Sequence, residues 1–91
     1  MKTYLIIYDK FYSDARVRIE EAGSYKEALM KWVENHDYGK SLLLQDLDTY
    51  DNDNLKGMIE DINTVFKGDI EIFTIVEIED LKNFFRIRGK N

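Results

Sequence analysis

The chain lacks both cysteine and proline, and its 91 residues include only five glycines and one histidine. Small secreted domains usually depend on disulfide bonds, so the absence of cysteine favours a reducing compartment, and we expect a cytoplasmic protein. Without proline or a glycine- and serine-rich stretch there is no linker composition, so residues 1–91 are predicted to form a single domain. No apolar run approaches the roughly 20 residues that span a bilayer, so no membrane contact is expected.

Motifs that carry catalytic chemistry are missing as well. His36 is the only histidine, and no cysteine or second histidine exists to complete a zinc site or a nucleophile–base pair. His36 falls on the apolar stripe of a predicted helix, which favours a packed, hydrogen-bonded side chain. The sequence contains no glycine-rich phosphate loop and no GxSxG pattern. We therefore predict a protein that is not an enzyme and that needs no cofactor.

Charge is abundant and unevenly placed. All 18 acidic residues lie between Asp9 and Asp80, whereas the tail "KNFFRIRGKN" (82–91) holds four basic residues and no acid. The tail is therefore +4 and the rest of the chain −9, within a net charge of −5. An acidic body repels nucleic acid and anionic membranes over a Debye length of about 8 Å, and it attracts basic protein surfaces. We expect a protein partner and no direct nucleic-acid contact.

The basic tail of uncertain structure, residues 82–91, is the feature that argues most for nucleic acid. It mixes phenylalanine with arginine and lysine, as single-strand binders do. It does not match the RNA-binding RNP1 pattern, and it follows an acidic body. The favoured interpretation is a docking tail, or an intramolecular partner for the acidic surface.

Two β-strands are predicted at the start of the chain. The run "TYLIIY" (3–8) is apolar at both odd and even positions, which predicts an inner strand covered on both faces. The stretch "ARVRIEEA" (15–22) alternates, which predicts a half-buried strand with Ala15, Val17 and Ile19 directed inward. The two strands are expected to pair as a hairpin.

A helix is predicted directly afterwards. Ser24 and Glu27 have the spacing of a capping box at its start, and Gly39 is a plausible cap at its end. Glu27 and Lys31 are spaced as an i,i+4 ion pair on the outer side. An apolar stripe at helical spacing completes the pattern, formed by Tyr25, Ala28, Leu29, Trp32, Val33 and His36.

In the second half of the chain, strands and a helix are predicted to alternate. The run "SLLLQDL" (41–47) predicts a strand, and the stretch from Leu55 to Gly68 predicts a second amphipathic helix. The next predicted strand is "DIEIFTIVEI" (69–78), and 79–87 fits either a helical turn or another strand. We therefore predict an α+β fold of order β-β-α-β-α-β, in which two amphipathic helices pack on a small, mostly antiparallel sheet. In the strand at 69–78, one face is assigned Ile70, Ile72, Val76 and Ile78, and the other Phe73 and Ile75.

Four aspartates crowd the stretch "DLDTYDND", at Asp46, Asp48, Asp51 and Asp53. An EF-hand is excluded, because neither possible register places oxygen ligands at its fifth and twelfth positions. A hydrated Mg²⁺ stays possible if Asp46 and Asp48 share one side of an extended segment. Asp51 or Asp53 is expected to cap the second helix. Capping accounts for one or two of the four aspartates, and the surplus supports a binding role.

In size, acidity, absence of cysteine and its opening "MKTYLIIYDK", the chain resembles the small acidic anti-defence inhibitors that phages encode, such as anti-CRISPR proteins. The resemblance implies an inhibitor that binds a basic surface of a nucleic-acid-handling enzyme and blocks its substrate. We expect carboxylates to meet lysine and arginine there, in the cluster of four aspartates and on the last strand, where Glu77 and Glu79 share a face at strand spacing. The predicted partner-binding residues are Asp46, Asp48, Asp51, Asp53, Glu77, Glu79 and Asp80.

Two alternatives stay open. The same aspartates would serve a ligand- or divalent-metal-binding module. A self-assembling structural protein is the other, because two strands that are apolar at both odd and even positions need more cover than two helices supply, and a homodimer would provide it.

Overall fold

A computed structural model describes residues 1–10, 15–35, 40–67 and 69–79. It confirms the α+β class: helices pack on one face of a three-stranded antiparallel sheet. The order is β-β-α-α-α-β, so one predicted strand is replaced by a helix. The elements are β1 (Lys2–Lys10), β2 (Arg16–Ala22), α1 (Tyr25–Glu34), α2 (Lys40–Asp48), α3 (Leu55–Phe66) and β3 (Ile70–Glu77).

The central strand of the sheet is β1, and the strand order is β2-β1-β3. Both neighbours pair with β1 in antiparallel fashion, so the predicted hairpin of β1 and β2 is confirmed. The inner position predicted for β1 is confirmed as well. Tyr4 and Ile6 point from β1 into the core below the helices and are buried.

The predicted facing of β2 is wrong. The register places Glu20 beside Tyr4 and Arg18 beside Ile6, and residues directly opposite each other share a face of the sheet. Arg18 and Glu20 therefore take the helix side, where they are half-buried and form an ion pair with each other. Val17 and Ile19 point to the other side and are 57% and 61% exposed. The alternation was real, but the pairing register with β1 decides which half of it meets the helices.

A β-bulge changes the facing of β3 halfway along. The register shifts opposite Ile7–Tyr8, which leaves Phe73 as the additional residue of β3. Before the bulge Ile72 faces the core as predicted, but beyond it Ile75 is buried and Val76 faces away. The predicted division of this strand is therefore right in its first half and wrong in its second.

The face of the sheet that points away from the helices is apolar at its centre. We call it the open sheet face, because none of the helices in the described part of the chain lies on it. The expectation that β1 is covered on both faces is therefore met on one face only by the described residues. The open sheet face consists of Leu5, Ile7, Val17, Ile19, Phe73 and Val76.

The first helix, α1, supplies the centre of the core. Its Ser24 cap is confirmed, since Ser24 Oγ accepts from the backbone N–H of Glu27 at 3.1 Å. The side chain of Glu27 accepts from Gly23 rather than from Ser24, and its predicted ion pair with Lys31 is present at 3.6 Å. The indole of Trp32 is buried among the helices and the sheet. The predictions for His36 and Gly39 lie outside the described residues.

The run predicted as a strand at 41–47 is the helix α2, so that prediction is wrong. Leu43 and Leu47, four residues apart, are both buried, whereas Leu42 is 72% exposed. This is helical spacing, and it packs α2 against α1 and α3. A short apolar run does not distinguish a buried strand from a helix by its composition.

The third helix, α3, is confirmed over Leu55–Phe66, but its cap differs from the prediction. Asn54 is the capping residue, and its Oδ1 accepts from Gly57 N–H at 3.2 Å, so neither Asp51 nor Asp53 fills this role. The side chain of Asn63 then reaches the sheet. Its Nδ2 donates to the Ile72 carbonyl at 3.1 Å, and its Oδ1 accepts from the Ile72 N–H at 2.8 Å.

Candidate functional site: the acidic surface of the second and third helices

The four clustered aspartates lie along a helix end and the turn that follows it. Asp46 and Asp48 belong to α2, whereas Asp51 and Asp53 lie in the turn 49–54 that leads to α3. All four side chains are exposed. Thr49 secures the start of the turn, since its Oγ1 donates to the Asp46 carbonyl at 2.6 Å. The turn thus holds acidic side chains at the surface beside two packed helices.

The helical conformation of α2 overturns the arrangement proposed for Mg²⁺. On a helix, residues two apart point about 200° away from each other, so Asp46 and Asp48 do not share a side as they would in an extended segment. Within the described ranges, no three acidic or histidine side chains converge as a metal site requires.

Tyr50 gathers further carboxylates around the turn. Its hydroxyl donates to Asp61 Oδ2 of α3 at 2.5 Å. The pKa of Tyr50 is raised above its usual value of 10.0, and this hydrogen bond is the largest cause. Desolvation and the negative charges of Asp61, Asp46 and Glu60 also raise it. The hydroxyl therefore stays protonated, and it is a neutral donor among three carboxylates from two helices.

Six carboxylates make up what we call the acidic surface. They are contributed by α2, by the turn and by α3: Asp46, Asp48, Asp51, Asp53, Glu60 and Asp61. In the described part of the chain the ion pairs are Lys2–Glu77, Arg18–Glu20 and Lys31–Glu27, and none of them includes a carboxylate of this surface. The acidic surface therefore presents charge that no direct cationic partner among these residues neutralises.

At one end the acidic surface adjoins a cleft of about 400 Å³ against α1. Lys26 crosses this border, where its Nζ donates to the Asp48 carbonyl at 2.9 Å and joins the two helices. The lining mixes both signs of charge, and this part of the surface is therefore less acidic than the region around Tyr50. The cleft is lined by Ser24, Lys26, Glu27, Met30, Lys31, Glu34, Asp48 and Asn52.

The other predicted site residues lie elsewhere. Glu77 ends β3, its side chain is only 14% exposed, and it forms a 3.8 Å ion pair with Lys2. Glu79 is exposed but follows the strand in a helical conformation, so the expectation that Glu77 and Glu79 share a strand face is wrong. Asp80 lies outside the described residues. The predicted site is thus divided between the helical layer and the end of the sheet.

The sequence interpretation missed Tyr50, Glu60 and Asp61 as members of the site. The helical pattern of 55–66 already placed Glu60 and Asp61 on a helix that follows the aspartates closely. The prediction of a strand at 41–47 hid this relationship, because only a helix there packs against α3 and brings Asp46 close to Glu60 and Asp61. The spacing of Leu43 and Leu47, four residues apart, is the feature of the sequence that indicates the helix.

Comparisons with protein-family models, with curated proteins and with solved structures found no match. Across the described ranges, no helix has both the length and the apolar character that crossing a bilayer requires.

Proposed function

We propose that this chain is a small acidic inhibitor that binds a basic surface of another protein through its acidic surface. The observation that carries the proposal is the set of three carboxylates around Tyr50, those of Asp46, Glu60 and Asp61, none of which forms an ion pair with a cation among the described residues. Such a surface repels anions and attracts clustered lysine and arginine. Lysine and arginine side chains of a partner would neutralise these carboxylates, which the described residues leave without an ion pair.

The partner proposed is a protein that handles nucleic acid. Surfaces that bind a phosphate backbone are rich in lysine and arginine, and their affinity for nucleic acid comes largely from charge. Carboxylates seated on those residues would exclude the phosphates, and this is how the chain would inhibit. Complementary charge chiefly accelerates the encounter of two proteins, so association should be fast and sensitive to salt.

Tyr50 gives the acidic surface a contact that is not ionic. Its ring is half-buried and its hydroxyl is tied to Asp61, so little side-chain entropy remains to be lost on binding. Tyrosine is enriched at protein interfaces because it combines apolar area with a hydrogen-bonding group. We assign Tyr50 the centre of the contact and the aspartates its rim.

The phage anti-defence role is proposed from general character alone. Small size, an acidic body and the absence of cysteine are shared with phage inhibitors of host defence. The proposal treats the chain as a binding protein in the cytoplasm and assigns it no catalytic residue.

The test compares two variants with the same change in net charge. In the site variant, Asp46, Asp51 and Asp53 become asparagine. In the control variant, three exposed acids outside the acidic surface are neutralised: Glu34→Gln, Asp69→Asn and Glu71→Gln. The wild-type chain is used to capture partners from a bacterial lysate, with washes at low and then high salt, and the affinity of each variant for the purified partner is measured.

We expect the captured protein to bind nucleic acid, to lose that binding when the wild-type chain is added, and to be released by high salt. The site variant should lose at least tenfold in affinity while the control variant stays close to wild type. Equal losses in both variants would show that net charge alone governs binding, and would contradict the assigned surface. Undiminished binding of the site variant would contradict it as well.

A further inference from the structure

The open sheet face is an exposed apolar surface beside the covered core. Val17 and Ile19 of β2 lie on it at the edge of the sheet, and Phe73 at the bulge of β3 is 52% exposed. Contiguous exposed apolar area of this kind usually marks a surface that another segment covers. The residues around the open sheet face indicate the chemistry of a segment that would cover it.

The rim of the open sheet face is acidic at both ends. The registers Asp9–Glu71 and Thr3–Glu21 place three acids on the same side as the apolar residues. One oxygen of this rim, Asp9 Oδ1, is enclosed and accepts no hydrogen bond from the residues that the structure describes. A complementary occupant has apolar side chains at its centre and basic side chains placed for the rim.

The dimensions of the face also limit the occupant. Three strands about 4.8 Å apart, with about seven residues each at 3.4 Å, make a surface of roughly 14 by 24 Å. A standard protein interface buries about 800 Å² on each partner, well above this footprint. A second copy would also bring an identical acidic rim and oppose like charges. A single short segment fits the surface better than another folded domain.

We propose that residues 80–91 of the same chain cover the open sheet face. This segment contains Leu81, Phe84, Phe85 and Ile87 together with Lys82, Arg86, Arg88 and Lys90. Its apolar residues match the centre of the face and its basic residues match the acidic rim.

The position where the described chain ends supports this assignment. Glu77 pairs with Tyr4 at one end of the sheet, and the chain leaves the strand at Ile78 and Glu79 in a helical conformation. Leu81, Phe84 and Phe85 follow Ile78 at helical spacing, so one side of a helix would carry them together. Twelve residues extend about 18 Å in a helix and up to about 40 Å when extended, so the segment is long enough to cross the three strands in either form.

Covalent attachment makes this occupant hard to displace. A segment tethered by a few residues meets its site at an effective concentration in the millimolar range. A foreign basic segment or a second copy would have to exceed that concentration to compete. The docked segment would also withdraw its arginines from nucleic acid, which agrees with the expectation that the chain makes no such contact.

The test uses the unmodified chain of 91 residues. Methyl groups of isoleucine, leucine and valine and the rings of phenylalanine are isotopically labelled, and through-space magnetisation transfer between them is measured by NMR. We expect transfer from the rings of Phe84 and Phe85 to methyl groups of the open sheet face, such as Ile19. Transfer to methyl groups of α1 or α3 instead, or none to any methyl group, would overturn the proposal.

A mixture of methyl-labelled and ring-labelled chains separates the segment's own sheet from that of a second copy. Contacts that appear only between chains in this mixture would overturn the intramolecular proposal in favour of a dimer. As a second readout, the double variant Phe84→Ser and Phe85→Ser should bind an apolar dye several-fold more strongly than wild type. The control Asn83→Ser and Asn91→Ser should match wild type, and equal dye binding by all three proteins would contradict the proposal.

Discussion

The side chain of Asn63 on α3 pairs with both backbone polar groups of Ile72 on β3, at 2.8 and 3.1 Å. β3 is an edge strand, and the outward N–H and C=O groups of such a strand would otherwise be open to another chain. One amide side chain thus completes the edge at the residue before the bulge and joins the helical layer to the sheet.

We predict that Asn63→Ala lowers the free energy of unfolding by about 2 kcal/mol, because two hydrogen bonds are lost and Ile72 is left partly unsatisfied. Asn63→Asp keeps the acceptor but removes the donor, so the ionised side chain should still bond the Ile72 N–H while facing the Ile72 carbonyl unfavourably. Urea denaturation of wild type and the two variants measures the free energy of unfolding of each. Equal stability of wild type and Asn63→Ala would contradict a structural role for this pair.

The raised pKa of Tyr50 predicts how stability changes in alkali. A hydroxyl whose pKa is higher in the folded state contributes stability that is complete below pH 10 and is lost as the pH rises through the folded pKa. Wild type should therefore lose more stability above pH 10 than Tyr50→Phe, which has no such group. Thermal unfolding of both proteins between pH 8 and pH 11, approximate limits set by the tyrosine titration range, gives the comparison.

The source of that pKa shift can be separated by two further variants. Asp61→Asn removes the hydrogen-bonded carboxylate and should bring the pKa of Tyr50 most of the way back to 10.0. Asp46→Asn removes only a nearby charge and should lower it less. Ultraviolet titration of the tyrosines, with Tyr50→Phe as the reference, reads each shift. An unchanged titration in Asp61→Asn would contradict the Tyr50–Asp61 contact.

The helical conformation of α2 makes opposite predictions for two of its leucines. Leu47→Ala should cost about 2–5 kcal/mol because its side chain is fully buried. Leu42→Ala should change stability by about 0.5 kcal/mol or less, since Leu42 is exposed. Chemical denaturation of both variants distinguishes the helix from the strand that the sequence suggested. A large loss in Leu42→Ala would favour the strand.

Association through the acidic surface should depend on ionic strength. We expect the rate constant for binding the captured partner to fall by about tenfold or more between low salt and physiological salt, and the dissociation rate to change little. The variant with Asp46, Asp51 and Asp53 changed to asparagine should show a much flatter dependence. Stopped-flow measurements at several salt concentrations provide both rates, and parallel salt dependences for the two proteins would refute the assignment.

Elements whose signals are local were predictable from the sequence. The cap at Ser24 and the helical stripe of α1 depend on neighbouring residues, and so does the apolar pattern of α3. The errors concern long-range relationships. Val17 and Ile19 alternate correctly, but pairing with β1 turns them away from the helices, and the bulge at Phe73 reverses the facing of Ile75. Tyr50 and Asp61 meet only because α2 is a helix, which its run of leucines did not reveal.

The central position of β1 also governs how the protein is made. Its pairing with β2 is local and becomes possible as soon as β2 has left the ribosome. Its other edge waits for Ile75, the partner of Ile6, which is synthesised near the end of the described chain. During that interval a nascent chain carries an unpaired, apolar strand edge, and such edges are prone to aggregation. The interval between the synthesis of β2 and that of β3 is therefore the chain's period of greatest exposure to misassembly.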